Sequence, residues 1–78
     1  MTKYELYVQC EHCSMLHPVQ VSIELDDGLN GSSLDEIFGD RQIPSQIAFM
    51  QTNKYRCPHT GRLFPASDAG KTLLQTID

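Results

Sequence analysis

Alternation of apolar and polar positions predicts two strands in the first third of the chain. Tyr4, Leu6 and Val8 alternate with more polar neighbours, and Cys10 continues the inward-facing series. The segment HPVQVSIEL alternates more strictly, with apolar residues at 19, 21, 23 and 25. Such alternation is typical of strands with one buried face. We therefore predict strands over residues 3–9 and 18–25, joined as a hairpin by the turn that contains the first two cysteines.

A helical period follows in the middle of the chain. Ser33 and Glu36 have the spacing of a capping box, and Leu34, Ile37 and Phe38 occupy one apolar stripe. Because Gly39 offers a stop, we predict one short helix over residues 33–39.

The second half of the chain reads mainly as strand. Pro44 breaks any continuation of the helix. The next segment is apolar at first and polar later, which predicts a strand over residues 46–56, and KTLLQTI predicts a last strand over 71–77. With no linker or internal repeat, the pattern predicts a single domain over residues 1–78. Its fold class is α+β, mostly β, with antiparallel strands and one short helix.

Composition suggests that this domain needs support beyond its core. The chain has 78 residues, 40% of them hydrophobic, with no tryptophan. Domains of this size often rely on a staple such as a metal ion. An odd number of cysteines, three, argues against a closed disulfide framework and favours a reducing compartment. Neither a signal-like start nor a long apolar stretch occurs, so we predict a cytoplasmic protein without a membrane segment.

The cysteines supply the candidate chemistry. Cys10-Glu11-His12-Cys13 places a CxxC motif on a turn between strands, where backbone N–H groups point at the thiolates and both sulfurs converge. A similar order of strand, cysteine, tight turn and strand recurs around Cys57-Pro58-His59-Thr60-Gly61.

This arrangement resembles the zinc-ribbon class of small β proteins, whose two knuckles usually read CPxCG or a close variant. The resemblance implies that Cys10, Cys13 and Cys57 bind a structural zinc ion. It departs at Thr60, where the fourth cysteine would stand, and a threonine hydroxyl is a poor zinc ligand. We predict His59 as the fourth ligand, ahead of His17 and then His12, and a closed site of Cys10, Cys13, Cys57 and His59. The alternative is a decayed ribbon whose thiols merely pack.

Catalysis is not expected. A CxHC motif is also similar to that of disulfide oxidoreductases, which would use Cys10 and Cys13. That chemistry needs the first cysteine at a helix N-terminus, whereas Pro18 and the alternating positions after it predict a strand. No serine–histidine–acid set is evident, so we predict that the chain is not an enzyme.

The charge is unevenly distributed. Residues 1–40 carry a net charge of −7 and residues 41–78 a net charge of +3, for a total of −4. Complementary patches steer protein association, so we predict a protein-interaction adaptor. An acidic chain is a poor non-specific nucleic-acid binder. The alternative is a nucleic-acid-binding zinc ribbon that uses the basic residues of the second knuckle, namely Lys54, Arg56 and Arg62.

Overall fold

The computed structural model describes residues 1–77 as two antiparallel sheets and two short helices. The larger sheet has the strand order β2-β1-β5, and the smaller sheet pairs β3 with β4. This confirms the predicted α+β, mostly β, class. In chain order the elements are β1 (Thr2–Gln9), β2 (Leu16–Leu25), α1 (Leu34–Phe38), α2 (Ser45–Gln51), β3 (Lys54–Arg56), β4 (Leu63–Pro65), a 3₁₀ turn (Ala69–Lys71) and β5 (Thr72–Thr76).

The predicted hairpin of β1 and β2 is confirmed, with an irregularity in its middle. Glu5 lies opposite Ser22, but Tyr7 lies opposite Pro18, so β2 holds two more residues than β1 across this step. Gln20, within the extra segment, has a φ of 59°. Because an even number of residues is inserted, the odd-numbered side chains of β2 are on the core side both before and after the bulge.

The predicted short helix is confirmed as α1. The hydroxyl of Ser33 accepts a hydrogen bond from the backbone N–H of Glu36, and the Glu36 carboxylate accepts one from the Ser33 N–H. These bonds satisfy N–H groups that the first helical turn leaves without partners. Gly39 follows the helix with a φ of 52°.

The predicted strand over residues 46–56 is wrong for most of its length. Ser45–Gln51 is the helix α2, and only Lys54–Arg56 is strand. Pro44 is the N-cap residue of this second helix, so it precedes the helix and interrupts no hydrogen bond within it. Ile47 and Met50 are buried at a spacing of three, whereas Phe49 is 71% exposed. The segment contains alanine, methionine and glutamine, which favour helix. The change from apolar to polar residues along it did not distinguish a helix from a strand.

The core is small and includes two of the three cysteines. Each sheet, both helices and the segment after β4 contribute to it. None of the helices in residues 1–77 is both long enough and apolar enough to span a membrane. The buried apolar residues are Tyr4, Leu6, Val8, Cys10, Val19, Ile23, Leu34, Ile47, Met50, Cys57, Phe64, Ala66 and Leu74.

Truncating side chains in α2 distinguishes the observed helix from the predicted strand. We expect Ile47→Ala to lower the free energy of unfolding by about 2–5 kcal/mol, because it removes buried methyl groups. Phe49→Ala should change it by no more than about 0.5 kcal/mol, since that ring faces solvent. Denaturant unfolding measures both. In a strand, residues 47 and 49 would share a face, so similar losses for the two variants would contradict the helix.

Candidate metal centre

The first cysteine turn connects β1 to β2 through a defined set of hydrogen bonds. The backbone N–H of Cys10 donates to the carbonyl oxygen of Met15, and the N–H of Ser14 donates to the carbonyl of Cys10, both at 2.9 Å. Ser14 has a φ of 62°, in the left-handed region. The backbone N–H of His12 also points at the sulfur of Cys10, at 3.3 Å. This turn therefore holds its first sulfur toward the core with a backbone donor directed at it.

The second cysteine turn, between β3 and β4, repeats this backbone arrangement. The N–H of Cys57 donates to the carbonyl of Arg62, and the N–H of Gly61 donates to the carbonyl of Cys57, both at 2.8 Å. Gly61 has a φ of 72° and corresponds to Ser14 of the first turn. By the same correspondence Thr60 occupies the position that Cys13 holds in the first turn. The structure thus shows two equivalent turns, of which the second has threonine in place of its second cysteine.

Three cysteines and one histidine converge where the two turns meet. The ligand atoms of the cluster all lie within 4.8 Å of one another. The Nε2 atom of His17 is 3.1 Å from the sulfur of Cys13 and 3.6 Å from the sulfur of Cys57, and those two sulfurs are 3.6 Å apart. The cluster consists of Cys10, Cys13, His17 and Cys57.

These separations fit a tetrahedral zinc ion. Zinc–sulfur bonds of about 2.3 Å and zinc–nitrogen bonds of about 2.0–2.1 Å place neighbouring tetrahedral donors about 3.5–3.8 Å apart. Among Cys13, His17 and Cys57, two of the three donor pairs match that range, and the third, between Cys13 and His17, is shorter by a few tenths of an ångström. Three thiolates and an imidazole are also a donor set that zinc prefers. The residues that are present therefore fit the metal.

The surroundings of Cys57 favour the thiolate form that binds metal. A hydrogen bond from the Thr60 side chain, aided by the backbone N–H groups of Thr60 and His59, lowers the pKa of the Cys57 thiol to about 5, against the opposing effect of burial. Cys57 is fully buried, as is Cys10. Thr60 does not replace the missing cysteine as a ligand. Its side chain stabilises the charge on the one cysteine that its turn retains.

Cys13 has a different environment. The backbone N–H of Met15 favours its thiolate, but burial and the nearby sulfurs of Cys57 and Cys10 outweigh this, so the pKa of the Cys13 thiol is raised. Crowding of sulfurs raises a thiol pKa because like charges repel. A divalent cation between the sulfurs would remove this repulsion, which is a further reason why the cluster suits a metal.

Two of the histidines considered from the sequence lie outside the cluster. His59, predicted as the fourth ligand, is exposed on the second turn, and its ring centre is 5.6 Å from that of His17. His12 is also at the surface, with its Nε2 atom 3.1 Å from the carbonyl oxygen of Leu63. Within residues 1–77 the structure thus brings together three of the four predicted ligands and adds His17, the second-ranked histidine.

A sequence signal for His17 existed in the alternation itself. His17 has the same odd parity as Val19 and Ile23, and it is only 7% exposed. It lies opposite Val8 in the hairpin, two positions before Cys10 on the neighbouring strand. A histidine on the buried face of a strand, next to a cysteine turn, has its ring directed into the core. The closeness of His59 to Cys57 along the chain was a weaker guide to the histidine of the cluster, because the side chain of a turn residue can point outward.

The first cysteine turn leads into a strand and not into the helix that disulfide oxidoreductases use. The chain continues from Ser14 into β2 at Leu16, so neither Cys10 nor Cys13 lies at a helix N-terminus. The dipole that lowers the thiol pKa in disulfide oxidoreductases is therefore absent at this motif within the described residues.

A groove adjoins the cluster on the side of His17. Its volume is about 370 Å³, and it lies between the outer edge of β2 and the second hairpin. Among residues 1–77, Arg56 is the only charged residue other than histidine that lines it. Lys54 and Arg62 are exposed on the same hairpin, and Arg56 donates to the carbonyl of Gly61 at 2.6 Å. The lining residues are His17, Pro18, Val19, Gln20, Tyr55, Arg56, Pro58 and Phe64.

No known protein family, no curated protein and no solved structure matches the chain.

Proposed function

We propose that this chain is a small structural zinc module in which Cys10, Cys13, His17 and Cys57 hold one metal ion. The observation that carries the proposal is the convergence of these four side chains from two separate turns. Four protein ligands fill a tetrahedral zinc shell and leave no position for water or substrate, which is the mark of a structural site. When bound, the ion supplies a cross-link between two distant parts of the chain.

The architecture supports a structural role for that cross-link. The two sheets share no strand pairing within residues 1–77, and the strands β3 and β4 are only three residues long. An isolated two-stranded hairpin is marginal in water. Cys57 belongs to this small hairpin, whereas the other three side chains of the cluster belong to the larger one. A metal at the cluster would therefore anchor the element of the fold that is least able to stand alone.

We also propose that the module acts as a protein-interaction adaptor and not as an enzyme. The groove beside His17 supports this, because it combines apolar walls with the positive charge of Arg56. It also borders β2, an edge strand of the larger sheet. A partner segment that carries apolar side chains next to an acidic residue would complement both the walls and the charge.

Metal content and chelation test the zinc site. We expect protein purified without added zinc to contain about one zinc ion per chain, measured by elemental analysis. A strong chelator should abolish the cooperative thermal melt, because structural zinc contributes on the order of 10 kcal/mol of apparent binding free energy. This is comparable to the whole stability of a small domain. Absence of stoichiometric zinc together with an unchanged melt would instead identify a decayed ribbon.

Matched histidine variants test which ring binds the metal. Changes outside the ligand set of a metal site typically weaken metal binding by roughly 10–100-fold. We expect His17→Ala to weaken zinc binding by more than this, because it removes a donor. His59→Ala should weaken zinc binding less than His17→Ala does, since the His59 ring lies outside the cluster. Competition with a chromophoric chelator measures both affinities. The reverse order of the two effects would assign the fourth position to His59, as the sequence alone suggested.

Charge reversal and nucleic-acid titration test the adaptor role. Cross-linking in cells identifies the proteins that contact the chain. We expect Arg56→Glu to abolish these cross-links and Arg41→Glu to retain them. Arg41 is the matched control because it is exposed and packs over the Phe38 ring, away from the groove. Single-stranded RNA, titrated at two salt concentrations, should not bind appreciably. Binding with a steep salt dependence would favour the nucleic-acid-binding alternative through Lys54, Arg56 and Arg62.

A further inference from the structure

We propose that oxidation links Cys13 to Cys57 as a disulfide and thereby exchanges the metal cross-link for a covalent one. The inference concerns regulation of the proposed zinc site and rests on that proposal for its metal-release step. The disulfide itself rests only on the arrangement of the thiols. All three cysteines are free in the structure.

Access selects Cys13 as the first thiol to react. Cys10 and Cys57 are fully buried, whereas Cys13 is partly exposed. A small oxidant such as hydrogen peroxide therefore reaches the sulfur of Cys13 before either of the others. Susceptibility of cysteine to oxidation follows exposure as well as thiolate character.

Proximity selects Cys57 as the partner. Its sulfur is 3.6 Å from that of Cys13, although the two residues are 44 positions apart in the chain. A disulfide needs the sulfurs at about 2.05 Å, so this pair has to close by roughly 1.5 Å, a side-chain movement. Cys57 is therefore the nucleophile that this contact favours.

The chemistry balances with peroxide as the oxidant. The Cys13 thiolate attacks one peroxide oxygen, the O–O bond breaks, and a sulfenic acid and a hydroxide ion form. The Cys57 thiolate then attacks the sulfenic sulfur, so that an S–S bond forms as the S–O bond breaks and a second hydroxide leaves. Two thiolates lose two electrons in total, and one peroxide gains them. Both hydroxide ions take protons from solvent, and two of the four metal ligands are consumed.

The disulfide would preserve the connection that the metal makes. A bond between Cys13 and Cys57 joins the turn of the larger hairpin to the turn of the smaller one, just as the metal does. A bond between Cys10 and Cys13 would close only one turn. Closing a long loop restricts the unfolded chain more than closing a short one. The oxidised chain therefore releases its metal without losing the anchor of its second hairpin.

Peptide mapping after peroxide treatment tests the inference on the zinc-loaded wild-type protein. Cleavage after Glu11 separates Cys10 from Cys13, so non-reducing mass spectrometry distinguishes all three pairings. We expect the bond between Cys13 and Cys57 as the main product, with one zinc ion released per disulfide, measured with a chromophoric zinc indicator. The oxidised, metal-free protein should show a cooperative thermal melt, which the reduced, metal-free protein should lack. Cys10→Ser should still form this disulfide, whereas Cys13→Ser should not.

The possible results separate this inference from the proposed zinc site. If the main product contains Cys10, or if protein that carries zinc forms no disulfide, the inference is wrong. Neither result contradicts the proposal that the four side chains bind zinc. A disulfide between Cys13 and Cys57 in protein that never contained zinc supports the pairing and refutes the zinc site. Because these measurements use the wild-type chain, they do not depend on whether the cysteine variants fold.

Discussion

The meeting of the two cysteine turns is the constraint on which the rest of this fold depends. Each turn is held by the same pair of backbone hydrogen bonds, and each presents its first cysteine to a common buried point. No strand pairing joins the two sheets within residues 1–77. They are joined by side-chain contacts, which include the ring of Phe64 5.8 Å from that of His17 and the buried core that both sheets share. Small domains bury little surface, so the contacts at this junction matter to the stability of the whole fold.

The two turns have the same backbone arrangement but contribute unequally to the cluster. Thr60 stands where the backbone correspondence would place a second cysteine, and its side chain stabilises the thiolate of Cys57. The fourth member of the cluster is His17, on the buried face of the larger hairpin. Three members of the cluster thus belong to one hairpin and one to the other. The second hairpin contributes Cys57, whose thiol pKa is lowered.

The charge is distributed unevenly, and the proposed adaptor role draws on this distribution. The acidic residues are concentrated in the first half of the chain, while the exposed bases of the second hairpin lie near the groove beside the cluster. A closed Cys₃His centre next to such a groove would fix the shape of the binding surface without taking part in chemistry. The metal and the surface are then linked through His17, which contributes both to the cluster and to the groove wall.

The sequence by itself determined the elements whose signals are local. Strict alternation specified β2, the capping box specified α1, and the CxxC spacing specified the first turn, because each depends on neighbours a few residues away. Local signals did not distinguish a strand from a helix at Ser45–Gln51, because a short apolar run is compatible with both. The burial of Ile47 and Met50, three residues apart, favours the helix. The fourth donor also needed tertiary structure. Alternation places His17 on the buried face of β2, but the register of the hairpin sets it opposite Val8, and only the packing of the two hairpins brings it to Cys57, 40 residues away in the chain.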